Sequence, residues 1–157
     1  MLASKVEDMI NTVVRQIAFY TFERKVHGER RKGELTADQI SAFWMEVQNE
    51  SLGPAIELKA GYETFWSYIP HFIHSPFYVY AYAFGDCLVN SLYAVYERAH
   101  EGFAERYLAM LAAGGTKHHA ELLKPFGLDA RDPSFWQGGL SVIEGLIAEL
   151  ETLDSKE

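Results

Sequence analysis

A single cysteine, Cys87, excludes an internal disulfide, and one thiol inside an apolar stretch suits a reducing compartment and reads as core filling rather than as a nucleophile. Long hydrophobic runs are missing, and the opening MLASKVEDMI is too polar for a secretory leader or a membrane span. A cytoplasmic location is expected. Positive charge is scarce as well: 14 Lys and Arg against 22 Asp and Glu leave a net charge of −8, which argues against holding a nucleic-acid backbone by bulk electrostatics. The one basic cluster, Arg24-Lys25 with Arg30-Arg31-Lys32, is interrupted by Glu23 and Glu29 and reads as a solvated helix face. No glycine-rich phosphate loop, nucleophile elbow or His-Glu-x-x-His occurs; His100-Glu101 is followed by Gly102-Phe103-Ala104 rather than by a second histidine. Internal repeats and low-complexity tracts are absent too.

What is present is helical periodicity. With 48% hydrophobic residues in 157, the chain can form a core and reads as one helical domain over 1–157. Leu2, Val6, Met9, Ile10, Val13, Val14, Ile17 and Tyr20 follow three- and four-residue steps, predicting a long amphipathic helix over 2–32 that stops at Gly33. Thr36-x-x-Gln39 is a capping-box pattern opening a helix that ends near Gly53. Between Pro54 and Pro70 a loop and a short helix are expected. Phe103 to Leu111 predicts a short helix ended by Gly114-Gly115, and Thr116 is expected to cap the next one, which Pro125 and Gly127 break. Asp132-Pro133 opens the last helix, and Asp154 to Glu157 are expected to fray. No strand finds a partner; the alternation from Phe77 to Tyr82 is read as helical, and the fold as an all-α bundle.

The chain is organised around 61–97, which concentrates aromatic residues, His71, His74 and two prolines. Ser75-Pro76 reads as an N-cap followed by proline at the first helical position, predicting a central helix over about 76–98. Its apolar residues fall on every face, as in a helix enclosed by others. Tyr78, Tyr80, Tyr82, Tyr93 and Tyr96 then bring hydroxyls into a buried setting, where they need partners or a ligand. Pro70 and Ser75-Pro76 fix a bend that should fold His71 back toward Tyr80. Within a helix, Tyr78 and Tyr82 share a face while Tyr80 points nearly opposite. His71-x-x-His74 has metal-pair spacing, but the flanking prolines argue against a regular helix through both and no third ligand is fixed. His118-His119 read as surface residues, and His27 and His100 carry no pattern.

Ile69-Pro70-His71-Phe72, the run Ser75 to Gly85, the Leu-x-Ala-Gly-Gly ending at Gly115 and Phe126-Gly127-Leu128-Asp129 together resemble the C-terminal part of oligoendopeptidase F, a relative of the thimet-type zinc oligopeptidases. The likeness runs from Phe19-Tyr20-Thr21-Phe22-Glu23 to Phe135-Trp136. It implies a segment of a larger metallopeptidase domain whose zinc motif lies before the matched region, so zinc belongs to the complete enzyme and none is expected on this chain. It further implies an oligopeptide substrate, and His71 and Tyr80, with Tyr78 as the alternative, as donors to substrate and to the oxyanion of a tetrahedral intermediate. Tyr78, Tyr82 and His74 are the implied substrate contacts. Where thimet-type relatives have a Gly-Gly-Tyr loop after the histidine, this chain has Ile73-His74-Ser75-Pro76. Such a segment would pack against the missing N-terminal part of the peptidase or self-associate as a homo-oligomer, and alone would be inactive. The alternative is a stand-alone helical module that binds peptides or a partner protein without catalysis.

Overall fold

Residues 1–98 and 101–155 are described by the computed structural model, and among them the fold is all-α without a strand. The long N-terminal helix is present as α1 (Leu2–Ile10) and α2 (Gln16–Arg30), joined by a π-helical turn over Asn11–Arg15. The others are α3 (Ala37–Leu52), α4 (His71–His74), α5 (Tyr80–Arg98), α6 (Phe103–Ala113), α7 (His119–Leu123) and α8 (Pro133–Asp154). Of the four closing residues expected to fray, Lys156 and Glu157 lie outside the described residues. Contacts group the chain into two units, Ile10–Phe84 and, separately, Met1–Met9 with the residues from Gly85 on.

In the unit Ile10–Phe84, α2 and α3 pack through Phe19, Phe22, Trp44 and Val47, all buried. The start of α3 is fixed by the predicted capping box: Gln39 N–H donates to Thr36 Oγ1 at 3.3 Å and Thr36 N–H donates to Gln39 Oε1 at 2.9 Å. Its end is Gly53, at φ 68°, a left-handed conformation that glycine adopts without steric cost. The expected short helix is a 3-10 turn over Tyr62–Tyr68. Two indoles hold it to α3, Trp44 N–H donating to Tyr62 O and Trp66 N–H to Ser41 Oγ, both at 3.0 Å.

In the other unit α5 and α8 approach closely through small residues. Ser91 Oγ donates to the Phe135 carbonyl at 2.7 Å, and Gly139 lies against the backbone of Cys87. Asp132 caps α8, accepting from Ser134 N–H at 2.8 Å, with Pro133 at the first helical position as the sequence predicts. Burial and the neighbouring Asp86 push the Cys87 thiol up, keeping it protonated in its core position.

Three expectations are corrected. The central helix begins at Tyr80 rather than Pro76, because Phe77 takes a φ of 59° and a turn occupies 75–79. It is buried along one stripe, through Ala83, Cys87, Ser91 and Leu92, and Tyr80, Tyr82, Tyr93 and Tyr96 are exposed rather than enclosed. The cap of α7 is His118, whose Nδ1 accepts from Ala120 N–H at 3.3 Å, whereas the Thr116 hydroxyl donates back to Ala113 O.

A Cβ on Gly139 would stand 2.9 Å from Cys87 O and 3.0 Å from its Cα, so Gly139→Ala should destabilise the chain by about 1–3 kcal/mol in chemical denaturation. Asp86 supplies a pH test. Burial raises its carboxyl above the ordinary value, against the opposing hydrogen bond from Asn90. A carboxyl raised in the folded state binds its proton more tightly there, so its contribution is fully present at acid pH and is lost as pH rises through the unfolded and then the folded value. Asp86→Asn should therefore raise the melting temperature at pH 7 relative to wild type, and the difference should shrink toward about pH 3, where both forms are neutral.

Candidate functional site

The aromatic core sets the site's geometry. Phe72 packs edge-on against Phe19 at 5.6 Å and tilted against Phe22 at 5.1 Å, which anchors the single helical turn α4. That turn covers both His71 and His74, contrary to the expectation of an irregular bend: Pro70 stands at its N-cap, where a missing N–H costs nothing, and Ser75 N–H donates to His71 O at 3.0 Å. The chain then turns through Ser75-Pro76-Phe77 and re-enters a helix at Tyr80.

His71 folds back as predicted, and the tyrosine it meets is Tyr82. Its Nε2 lies 3.2 Å from the Tyr82 hydroxyl, with the rings edge to face at 5.9 Å. Tyr78 lies parallel to His71 at 6.5 Å and edge-on to Tyr82 at 5.5 Å. These three rings form one group. Tyr80, two residues from Tyr82, points to the other side of the helix and packs on Tyr20 at 5.6 Å. His74 is exposed, as are Tyr78 at 50%, Tyr80 at 49% and Tyr82 at 40%. His100 lies outside the described residues.

Chemically the group offers paired hydrogen-bond donors. With the proton on Nε2, His71 donates to the Tyr82 oxygen and the phenol proton is left to donate outward; in the other tautomer Tyr82 donates to the imidazole. A zinc ion does not fit the residues present. Among the described residues no three His, Cys, Asp or Glu side chains come together as ligands, and His71 directs its Nε2 to Tyr82.

Glu23 corrects the reading of the basic cluster as a solvated face, because its side chain turns into the core. It is 2% exposed, and Oε1 accepts the Phe77 N–H at 2.8 Å. The signal was its position four residues after Phe19 and three before Val26, on the buried face of α2, where an acid is out of place. The same unit holds a cavity of about 200 Å³ lined mainly by Phe22, Val26, Ile40, Trp66 and Phe72, apolar enough to take an aliphatic or aromatic side chain.

The model of Peptidase family M3 matches residues 1–142, and the chain belongs to that family. It is 27% identical over 154 residues to oligopeptidase PepF of Bacillus subtilis, covering 98% of this chain and 23% of that protein. To the plasmid oligoendopeptidase F of Lactococcus lactis it is 28% identical over 146 residues, covering 92% and 24%. The crystal structure of oligoendopeptidase-F from Enterococcus faecium superposes with a TM-score of 0.90 at 30% identity, over 99% of this chain and 30% of that one. The chain thus spans about a quarter of the length of the curated relatives it matches.

Proposed function

We propose that this chain is the C-terminal, substrate-facing segment of a cytoplasmic zinc metallopeptidase that hydrolyses peptide bonds in oligopeptides. The observation that carries the reading is the exposed group of His71, Tyr78 and Tyr82 on a chain of family M3. The metal would be held by residues outside this chain. Here the work of the chain's own residues is to bind and orient. A peptide carbonyl laid over the group accepts from an imidazole or phenol, and a donor aimed at the oxygen where charge develops lowers the barrier by about 2.7–4 kcal/mol. His71 is assigned that role from within the group, and Tyr80, on the other side of the helix against Tyr20, is assigned a separate donor role as a second, half-exposed phenol. Tyr78, Tyr82 and His74 contact the rest of the peptide.

Exposed apolar side chains support a surface that is covered in the complete protein or by a second copy. Ile73 at 71% and Tyr68 at 81% flank the site, and Val89 and Leu108 are exposed in the other unit. No helix of the described residues is long and apolar enough to cross a membrane.

The purified chain should release no product from a short fluorogenic peptide, because it lacks a His-Glu-x-x-His to hold and deprotonate a metal-bound water; chelator-sensitive cleavage would refute this. In the complete peptidase, His71→Ala and Tyr80→Phe should each lower kcat/KM by about 10²–10³ with zinc content unchanged. Full activity in Tyr80→Phe together with loss in Tyr82→Phe would transfer the donor role to Tyr82, and full activity in His71→Ala would remove His71 from the reaction.

A further inference from the structure

Phe77 is the one non-glycine residue with positive φ among the described residues, at 59°. A side chain with a Cβ is strained there and stays only where its surroundings hold it. Two groups of α2 do so. Glu23 Oε1 accepts the Phe77 N–H at 2.8 Å, and His27, one helical turn further on, sets its ring 4.7 Å from the Phe77 ring. The carboxylate is almost fully buried, yet its second oxygen accepts no hydrogen bond among the described residues. Glu23 also lines the cavity shared by Phe22, Val26 and Trp66.

What the held turn determines is the group described above. Phe77 immediately precedes Tyr78, whose N–H donates to Ser75 O at 3.2 Å, and the fully buried Val79 pins the next residue. Rotation of Phe77 to an ordinary negative φ would redirect Tyr78 and the first turn of α5, which carries Tyr82. We propose that Glu23 is a positioning residue: by accepting the Phe77 N–H from inside the core, it holds the left-handed turn that sets Tyr78 and Tyr82 against His71. The consequence for catalysis rests on the proposed peptidase reading; the geometric coupling does not.

The test is NMR on the 157-residue chain and its variants, following hydrogen exchange of the Phe77 amide and the nuclear Overhauser contact between the His71 and Tyr82 rings. Glu23→Leu, which keeps bulk and removes the acceptor, should speed Phe77 exchange at least about tenfold and abolish the ring contact. The Trp44 indole N–H, bonded to Tyr62 O in the core, should keep its protection. Glu23→Gln, whose side-chain carbonyl still accepts, should retain the ring contact. Adding Phe77→Gly to Glu23→Leu should restore it, since glycine takes the left-handed conformation unaided. Unchanged Phe77 exchange and ring contact in Glu23→Leu would overturn the proposal. So would a double variant without the ring contact, and that variant decides the matter if Glu23→Leu alone does not fold. Failure of the peptidase reading registers separately, as full activity of His71→Ala in the complete enzyme with this coupling intact.

Discussion

The burial of Trp44 is the interaction on which the site-bearing unit depends. Its ring meets Phe19 at 5.5 Å, Phe22 at 5.2 Å, Tyr62 at 5.8 Å and Phe72 at 6.3 Å, and its indole N–H is satisfied by Tyr62 O. One side chain therefore joins α2, α3, the 3-10 turn and the helical turn that carries His71. Removing a buried Trp typically costs about 3–5 kcal/mol, a large part of the net stability of a domain this size. Phe72 lies in that cluster and His71 is its neighbour in sequence, so the histidine is positioned by core packing and not by a flexible loop.

The signals legible in the sequence were those carried by short-range chemistry. Thr36 with Gln39, Asp132 with Pro133, and the glycines at 53, 114 and 127 each mark a boundary through hydrogen bonds or φ angles confined to a few residues. Ser75-Pro76 has the same local look as Asp132-Pro133 and yet starts no helix. The difference is long-range: Phe77 is held left-handed by Glu23, 54 positions earlier. His118 takes the place of Thr116 as a cap for a local reason, since the Thr116 hydroxyl is already engaged by Ala113 O. Of the site, the return of His71 onto the tyrosines followed from the two prolines. Which tyrosine it meets depends on where the helix starts, and the helix start depends on a contact that periodicity does not contain.

Exposure of Tyr93 and Tyr96 follows from how the second unit closes. Gly139 against the backbone of Cys87 and Ser91 against the Phe135 carbonyl bring α5 and α8 together closely in this unit, and small residues, Cys87 and Ser91, stand at that contact. Large aromatic side chains cannot enter such a contact and lie to either side of it. An apolar residue on every face of a helix therefore signals total apolar content, and not enclosure, when the contact face itself is built from small side chains.

The turn at Phe77 sharpens the case for a functional site. Its left-handed backbone costs about 1–3 kcal/mol, and burying the Glu23 side chain to accept the Phe77 N–H carries a desolvation cost of its own. Locally Ser75, Pro76 and Tyr78 are exposed, and the Phe77 side chain keeps its ring contact with His27. The compensation comes from the Trp44 cluster across α2 and α3. A glycine at 77 and a leucine at 23 would remove both costs and leave the core intact, so stability alone does not account for this pair. On the proposed reading the pair sets the direction of Tyr78 and Tyr82 relative to His71, where a bound peptide would meet their donors.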